Sequence, residues 1–248
     1  MSVSSAVTPR VAIVTGGSGG IGRAVAERLG RDGMKVVVHY ASNAASAQDV
    51  VEKIAAVGGG AFAYGGDVAD EADVAALFDE TERRFGGIDV VVHTAGVLAL
   101  STIADMDFDE FDRMMRINVR GTFVIDQQAA RRVRRGGAII NFSTSVTKRS
   151  VPTYSAYSAS KGAVDVISMI LAKEMRGRDV TVNAVAPGPT ATPLFLDDKD
   201  QATIDTLAAM PALGRLGKPD DVADVVSFLA GPGRWVNGQV IYVDGGLL

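Results

Sequence analysis

Tyr157 and Lys161 lie four residues apart at the end of the stretch 141–161. The residues that follow have apolar side chains at helical spacing, so the two side chains are expected to share one face of a helix. Ionising a phenol at neutral pH costs about 4 kcal/mol, because its ordinary pKa is near ~10. An ammonium group roughly 4 to 5 Å away contributes about 3 to 4 kcal/mol at an effective dielectric constant of about 20. The pair therefore predicts a tyrosine acid/base whose pKa is lowered by a lysine.

A hydroxyl group that could contact a substrate lies before this pair, just after a predicted strand. Ser145 follows an apolar strand predicted at 138–142, with Ser143 and Thr144 beside it. The carboxyl ends of such strands are where ligands bind in parallel sheets. Ser145 could hydrogen-bond a substrate oxygen there while Tyr157 exchanges a proton with it. The alternative is that tyrosine and lysine share this spacing by chance, as on many amphipathic helices.

The composition is that of an ordinary globular protein. The chain has 248 residues, of which 47% are hydrophobic and 22% charged, with a net charge of −4 and no cysteine. This length suits one α/β domain with a single large core, and two small domains are the alternative. The mildly acidic balance argues against nucleic acid or an anionic membrane as a general partner. The lack of cysteine excludes disulfides, thiolate metal sites and thiol nucleophiles.

Two further patterns concern location. No apolar run reaches the length of about 18 residues that a spanning helix needs. Residues 1–10 lack the basic start and apolar core of a secretory signal. A cytoplasmic protein is therefore expected.

A glycine-rich turn connects the first predicted strand to the first predicted helix within a βαβ unit at 11–38. The turn fits G-x-x-x-G-x-G at Gly16, Gly20 and Gly22, and G-x-G-x-x-G at Gly17, Gly19 and Gly22. Between a strand and a helix, such glycines let backbone N–H groups converge on a pyrophosphate. Either set of glycines could contact a dinucleotide in this way. A tight turn without a ligand is the alternative.

The end of the second strand bears on the choice of dinucleotide. Sites for NAD usually place an acid there to bind the ribose 2′-hydroxyl. Residues 39–43 contain no carboxylate, and the next one is Asp49. An acid would repel a 2′-phosphate, so its absence favours NADP, with NAD not excluded. Tyr40, Ser42 and Asn43 are candidates for binding that phosphate, and Arg23 is close in sequence.

Strands and helices keep alternating along the chain. Helices are predicted at 43–57 and 70–85, and strands at 61–64, 88–92 and 138–142. This alternation predicts an α/β fold with a parallel, doubly wound sheet. Two strand ends offer further cofactor contacts, namely Asp67 and Val68 near an adenine ring, and Ala95 and Gly96 near a ribose.

Three features of the middle of the chain have structural interpretations. Residues 107–117 place acids on one helix face, which is expected to be solvated; a metal site needs ligands from more than one element, so none is expected. The arginines of RRVRR at 131–135 are expected at a helix end, where they meet the negative end of the helix dipole. Asn118 is a poor helix former within a helical run, so it is expected to kink the helix around a water or to cap it.

The segment 189–216 loses periodicity just after a strand at the ligand-binding end. Long irregular segments in this position are usually lids or binding loops. Leu194, Phe195, Leu196 and Met210 would give such a lid an apolar lining, which suits a lipophilic or ring-shaped substrate. A subunit-contact loop is the alternative.

The motifs TGGSGGIG, NVRG, FSTS and YSASK occur in this order, followed by DVTVNAVAPGPTAT at 179–192 and GQVIYVDGG at 238–246. In this combination the chain resembles the short-chain dehydrogenase/reductase family from about Val11 onward. The resemblance implies one NAD(P)-binding Rossmann-type domain over 1–248, with about seven strands and helices on both faces. It also implies a homotetramer or homodimer built on two long helices, at about 107–135 and 155–175.

The same resemblance implies the roles of individual residues. Tyr157 would be the general acid/base, Lys161 its partner and a ligand of the nicotinamide ribose, Ser145 the group that polarises the substrate oxygen, and Asn118 part of a proton relay. The cofactor would be contacted in the glycine-rich turn by Gly16, Ser18, Gly20, Ile21 and Gly22. It would also be contacted by Pro187, Gly188, Thr190 and Thr192, the last at the nicotinamide carboxamide.

Two departures from the family pattern concern this site. HTAG at 93–96 replaces the usual NNAG, so it retains Gly96 but lacks both asparagines; His93 either contacts a ligand or is hydrogen-bonded structure. Ser145 lies 12 residues before Tyr157, a little fewer than is often seen in the family. Ser143 or Thr144 could therefore replace Ser145.

These observations predict an NADPH-dependent oxidoreductase that reduces a carbonyl group of a ketone, quinone or 3-oxoacyl compound to a secondary alcohol by hydride transfer. One alternative is an NAD(P)-linked sugar or alcohol dehydrogenase that runs oxidatively. Another is a non-catalytic NADP-sensing protein, which would have no need of Tyr157 and Lys161.

Overall fold

Seven parallel strands form one sheet through the centre of the protein. The computed structural model describes residues 9–197 and 199–248. The strands are β1 (Val11–Thr15), β2 (Lys35–Tyr40), β3 (Ala61–Gly65), β4 (Ile88–His93), β5 (Val133–Phe142), β6 (Thr181–Pro187) and β7 (Val240–Val243). They lie in the order β3-β2-β1-β4-β5-β6-β7, and every neighbouring pair is parallel. The predicted α/β fold with a doubly wound sheet is confirmed.

Helices connect these strands on both faces of the sheet. They are α1 (Gly20–Arg31), α2 (Ala44–Ala56), α3 (Glu71–Phe85), α4 (Phe108–Met115), α5 (Gly121–Arg132), α6 (Ser155–Glu174), α7 (Pro193–Leu196), α8 (Gln201–Ala209) and α9 (Pro219–Ala230). A π-helical turn at Arg116–Arg120 joins α4 to α5, and a 3-10 helix at Ser145–Lys148 follows β5. Within the described part of the chain, no helix is both long and apolar enough to cross a membrane.

The strands are apolar because helices cover both faces of the sheet. β1 is buried at all of its positions. Val14 packs in the same cluster as Leu29 of α1, whereas Ile13 packs in a second cluster with Phe78 of α3. Burying each such side chain fully contributes about 1.5 to 3 kcal/mol. Consecutive residues of one strand thus serve two cores, which explains why β1 is a continuous apolar run rather than an alternating one.

The strand order reverses beside β1, which has β2 on one side and β4 on the other. Chain connections leave these strands in opposite directions, and the crevice outside their carboxyl ends is where ligands bind in open α/β sheets. The glycine-rich turn after β1 and the loop after β4 therefore face one crevice.

The basic run at 131–135 differs from its prediction. Arg131 and Arg132 lie in the last turn of α5, as the dipole argument requires, but β5 begins at Val133. Arg134 therefore lies on the strand, where its Nε donates to the Asp89 carboxylate at 2.9 Å. The long helix expected to reach about residue 135 ends earlier because this ion pair belongs to the sheet.

The segment 189–216 contains two helices, so the expectation of an irregular segment is wrong. Pro193 stands in the first turn of α7. The Asp200 side chain caps α8 by accepting from the backbone N–H of Thr203 at 2.8 Å. Helices of four and nine residues are too short for a helical period to stand out in the sequence.

Candidate active site

The turn between β1 and α1 has a backbone that requires glycine. Gly16 has a φ of +65° and Gly20 a φ of +52°, both in the left-handed region. A Cβ at Gly22 would lie 2.3 Å from the carbonyl oxygen of Gly16 and 2.4 Å from Thr94 Oγ1. Of the two glycine patterns, the one through Gly16, Gly20 and Gly22 is therefore the one that the backbone conformation demands.

Helix α1 begins without a side-chain cap. Gly19 stands at its N-cap and its first turn contains no acid. Side chains of Asn43, Asp70 and Asp107, by contrast, cap α2, α3 and α4. The free N–H groups and the positive end of the helix dipole can bind an anion. The turn thus fits the pyrophosphate of a dinucleotide.

A cavity of about 520 Å³ lies at the carboxyl ends of the strands. It brings together the turn before α1, the loop after β4, the segment after β5, the first turns of α6 and the segment after β6. The predicted cofactor residues that line it are Gly16, Gly20, Ile21, Gly22, Ala95, Gly96, Tyr157, Lys161, Pro187, Gly188, Thr190 and Thr192. Ser145 lines it as well.

Tyr157 and Lys161 lie one turn apart on α6, as predicted, and both face the cavity. Burial raises the pKa of Tyr157 to about 12, Tyr154 adds to the rise, and a hydrogen bond with Thr144 offsets part of it. Lys161 Nζ donates to the carbonyl oxygen of Phe142 at 2.8 Å. Burial also lowers the pKa of Lys161 to about 8.

The expectation that Lys161 brings the phenol pKa below its ordinary value is not met, since the pKa of Tyr157 lies above that value. Desolvation disfavours the charged form of both groups, so burying them together raises the one pKa and lowers the other. The consequence is that Tyr157 is protonated at neutral pH. In that state it is a proton donor.

Three hydroxyl groups follow β5, and all of them line the cavity. Ser143 Oγ is directed at the carbonyl oxygen of Lys161, at 3.4 Å. The Thr144 hydroxyl is close enough to Tyr157 to offset part of the rise in its pKa. Ser145 begins the 3-10 helix and is 1% exposed. Thr144 and Ser145 are therefore the two candidates for contacting a substrate oxygen beside Tyr157.

Asn118 interrupts the helix through the π-helical turn and not as a cap. Its Nδ2 donates to the Val97 carbonyl oxygen at 2.9 Å and to Ser160 Oγ at 3.0 Å, and its Oδ1 accepts from the Val97 N–H at 2.9 Å. Both amide hydrogens are thus used in joining the loop after β4 to α6. Its side chain positions that loop, and a role in proton relay stays a prediction.

The remaining predicted cofactor contacts do not line the cavity; they are Ser18, Tyr40, Ser42, Asn43, Asp67 and Val68. The Asp67 carboxylate pairs with Arg116 at 2.7 Å. Arg23, the cation near the end of β2, pairs with Glu27 at 3.0 Å and with Asp49. A 2′-phosphate would have to compete with these carboxylates for Arg23.

The HTAG sequence builds its turn from hydroxyl groups. Thr94 Oγ1 donates to the Thr15 carbonyl oxygen at 2.5 Å, and the Ala95 N–H donates to Thr15 Oγ1 at 3.3 Å. His93 Nδ1 shares a hydrogen bond of 2.7 Å with the same Thr15 Oγ1. His93 is 2% exposed, and burial lowers its pKa to about 3. It is a neutral structural residue, and Thr94 supplies the contact that sequence reasoning missed.

Other lining residues also escaped sequence analysis. The ring of Tyr154 stands edge-on to that of Tyr157, with 6.3 Å between centroids, and its position three residues earlier was the available signal. Of the predicted lid residues, Phe195 and Met210 line the cavity, together with Leu207 of α8. Leu196 is not among the lining residues, and the side chain of Leu194 lies outside the described part of the structure.

Comparisons with known proteins cover nearly the whole chain. Residues 16–248 match the family model described as enoyl-(acyl carrier protein) reductase. The chain is 44% identical to a short-chain type dehydrogenase/reductase of Picea abies, over 96% of this chain and 92% of that protein. It is 41% identical to versicolorin reductase 1 of Aspergillus parasiticus, over 99% of both proteins.

A solved structure has the same fold. It is that of landomycin C-6 ketoreductase LanV with bound NADP and rabelomycin, which matches with a TM-score of 0.87 at 38% identity, over 97% of each chain. The motifs, the strand order, the cavity and these relatives agree, and this protein belongs to the short-chain dehydrogenase/reductase family of oxidoreductases.

Proposed function

We propose that this protein uses NADPH to reduce a carbonyl group to a secondary alcohol. The observation that carries the proposal is the position of the Tyr157 phenol, which faces a cavity beside Lys161 and two candidate hydroxyls. Two of the relatives, a versicolorin reductase and a ketoreductase, are named for reductions, and they support this direction.

The residues around the cavity fit NADPH. The uncapped start of α1 suits its pyrophosphate. A Cβ at Gly96 would lie 3.2 Å from Lys161 Nζ, so a ribose that passes over Gly96 comes within reach of that ammonium group. The lack of a carboxylate at residues 39–43 favours the phosphorylated cofactor, as does the NADP bound to LanV. When bound, NADPH supplies the hydride from its nicotinamide ring.

The protein's own groups act on the carbonyl oxygen. Thr144 or Ser145 donates a hydrogen bond to this oxygen, which polarises the C=O bond. As the carbonyl carbon gains the hydride, the oxygen becomes a stronger base than a phenolate, and Tyr157 transfers its proton to it. The products are the secondary alcohol and NADP⁺, and the phenolate left on Tyr157 lies beside the charged form of Lys161.

The two alternatives fit less well. An oxidative dehydrogenase would use Tyr157 as a base, whereas burial raises the pKa of this phenol and so favours the form that donates a proton. A non-catalytic sensor would not require a tyrosine, a lysine and hydroxyl groups to meet at one end of the cavity.

We also propose that residues 189–216 form the substrate lid of a single domain that spans 1–248. Phe195 follows the strand end that carries Pro187, and Leu207 and Met210 belong to α8 and its end. These apolar side chains share the cavity with Tyr157, so a ketone that reaches the phenol contacts them.

The test follows the absorbance of NADPH, and separately of NADH, with a panel of ketones, quinones and 3-oxoacyl thioesters. We expect turnover with NADPH, and we expect Tyr157→Phe to abolish it while NADPH binding, read by cofactor fluorescence, stays near the wild-type value. Tyr64→Phe on β3 is the matched control, because Tyr64 does not line the cavity. Normal turnover by Tyr157→Phe would refute the assignment; NADPH binding without turnover on any compound would favour the sensor.

A further inference from the structure

The cavity has apolar walls away from the glycine-rich turn. They come from the loop after β4, the segment before α6, and α7 with α8, through Leu98, Val151, Phe195, Leu207 and Met210. Among the described residues that line the cavity, none is aspartate or glutamate. These walls suit a hydrophobic ring and contain no negative charge that would repel an anion.

Arg149 is the exception in these walls. It lies between the 3-10 helix and Tyr154, it is half-buried, and it lines the cavity. Its N–H donates to the Val146 carbonyl oxygen at 2.9 Å, and its own carbonyl oxygen accepts from the Val151 N–H at 3.2 Å. These bonds fix the residue in the wall at the backbone.

The guanidinium group of Arg149 has no partner in the protein as far as residues 9–197 and 199–248 show. Arg132 and Arg134 each pair with carboxylates instead. The other cation of the cavity, Lys161, is bonded to Phe142 and lies next to Gly96. Arg149 therefore brings a positive charge to the cavity that neither the fold nor the chemistry of Tyr157 uses.

The position of Arg149 separates it from the dinucleotide phosphates. Those are expected at the turn after β1, whereas Arg149 belongs to the segment after β5 that also carries Val151 and Tyr154. Arg149 therefore belongs to the part of the cavity that Val151 and Tyr154 line, away from the glycine-rich turn, and a ligand of its guanidinium is expected to be part of the substrate.

We propose, on the basis of the proposed function, that Arg149 binds an oxyanion on the substrate, so that this enzyme prefers ring ketones that carry a carboxylate or an ionised enol or phenol. The planar guanidinium donates several N–H groups in a geometry that matches such oxygens. The apolar walls hold the ring, and the charge selects its substituent and orients the carbonyl group toward Tyr157.

The experiment uses two matched pairs of compounds that differ in one anionic group. One pair is tetralone and a tetralone carboxylate; the other is naphthoquinone and hydroxynaphthoquinone, whose enol is ionised at neutral pH. For each compound, kcat/KM is measured with NADPH, and Kd is measured by calorimetry in the presence of NADP⁺, where no turnover occurs. The variants are Arg149→Gln, Arg149→Lys and the control Lys148→Gln.

Lys148 is a suitable control because it is exposed and does not line the cavity, yet its substitution changes the net charge equally. We expect the wild-type protein to prefer the anionic member of at least one pair. We expect Arg149→Gln to reduce that preference about 10- to 100-fold, in line with the strength of a charge-assisted hydrogen bond. Arg149→Lys should retain part of it, and Lys148→Gln all of it.

The outcomes separate this proposal from the proposed function. Loss of preference for only one pair identifies the oxyanion as a carboxylate or as an enolate. The role of Arg149 would be overturned if the wild-type protein showed no preference for the anionic compounds, or if Arg149→Gln kept the same preference as the wild type. The proposed reduction would stand in either case. Arg149-dependent binding of an anion without turnover of any ketone would support the site and count against the reductase.

Discussion

Lys161 Nζ donates to the carbonyl oxygen of Phe142 at 2.8 Å, which joins α6 to the end of β5. Phe142 directly precedes the three hydroxyl residues, and Lys161 is one turn from Tyr157. This single bond therefore sets the position of Tyr157 relative to the hydroxyl groups. It also holds the ammonium group beside Gly96, where a ribose is expected.

Lys161→Ala should lose both NADPH affinity and turnover. The substitution removes the cation next to Gly96 and the bond to Phe142. A hydrogen bond to a charged group contributes a net free energy of about 1.5 to 3 kcal/mol. We therefore expect Kd for NADPH to rise about 10-fold or more, and a 10-fold rise corresponds to about 1.4 kcal/mol. Cofactor fluorescence titration measures it. Lys173→Ala, on the exposed side of α6, is the control; an unchanged Kd in Lys161→Ala would remove the ribose role.

Removal of single hydroxyl groups should identify the one that contacts the substrate oxygen. We expect Thr144→Val to lower kcat/KM most, because the Thr144 hydroxyl offsets part of the rise in the pKa of Tyr157 and therefore lies near the phenol. Ser145→Ala should have a smaller effect, and Ser143→Ala the smallest, since Ser143 is directed at the Lys161 carbonyl oxygen. Loss of one such donor costs about 10²- to 10³-fold. Steady-state kinetics with NADPH decide the order, and a larger loss in Ser145→Ala would return the role to the residue that the sequence favoured.

Gly22→Ala should disrupt the dinucleotide site. The added Cβ would lie 2.3 Å from the Gly16 carbonyl oxygen, so the turn would have to move. We expect a loss of stability of about 1 to 3 kcal/mol, as for overpacking, and a loss of NADPH binding. Gly162→Ala is the control, because its Cβ would meet nothing within 4 Å and alanine favours a helix by about 1 kcal/mol. Urea unfolding compares the stabilities of the two variants, and cofactor titration compares their affinities for NADPH. Wild-type affinity in Gly22→Ala would contradict the proposal that this turn binds the pyrophosphate.

Asp126→Asn should stabilise the protein near neutral pH. Asp126 is 4% exposed, it accepts from Asn141 Nδ2 at 2.8 Å, and burial raises its pKa to about 7. The Oδ1 atoms of both residues have no partner among the described residues, and an amide at position 126 can donate to the one on Asn141. We expect a gain of about 1 to 3 kcal/mol at pH 7.

The contribution of Asp126 to the stability of the folded protein should decrease as the pH rises. The folded protein binds this proton more tightly than the unfolded chain, since the pKa of the acid is raised by folding. Its contribution is fully present below the ordinary pKa near ~4, and it is lost as the pH rises through about 7. Urea unfolding of wild type and Asp126→Asn between these pH values should show a difference that grows with pH. A constant difference would mean that Asp126 stays ionised.

The sequence predicted those features that depend on neighbouring residues. The apolar run of β1, the glycine spacing before α1, and the Tyr157–Lys161 pair are local patterns, and the structure places them as expected. The relationships that sequence analysis missed join distant positions. Asn118 bonds to Ser160, and Arg134 on β5 bonds to Asp89, and no periodicity reveals such partners.

The predicted direction of the pKa shift of Tyr157 differs from the structure for a related reason. The predicted effect of Lys161 included the attraction between the two charges but not the cost of removing both groups from water. The pKa of Tyr157 depends on how deeply both groups are buried. Burial in turn depends on the residues around the phenol, such as Thr144 and Tyr154. Desolvation is thus a property of the assembled cavity.

The π-helical turn at Arg116–Arg120 sets the phase between two helices. Each residue of an α-helix advances about 100° around the axis, so one extra residue in a turn rotates everything beyond it by that angle. The turn lets Asn118 face the loop after β4 while Ile125 and Ala129 still face the core. Deleting one residue from this turn would leave a regular helix. That helix could keep either the Asn118 contact with the loop after β4 or the packing of Ile125 and Ala129 in the core, but not both. Grafting this site onto a scaffold with a straight helix would therefore fail unless the extra residue were grafted with it.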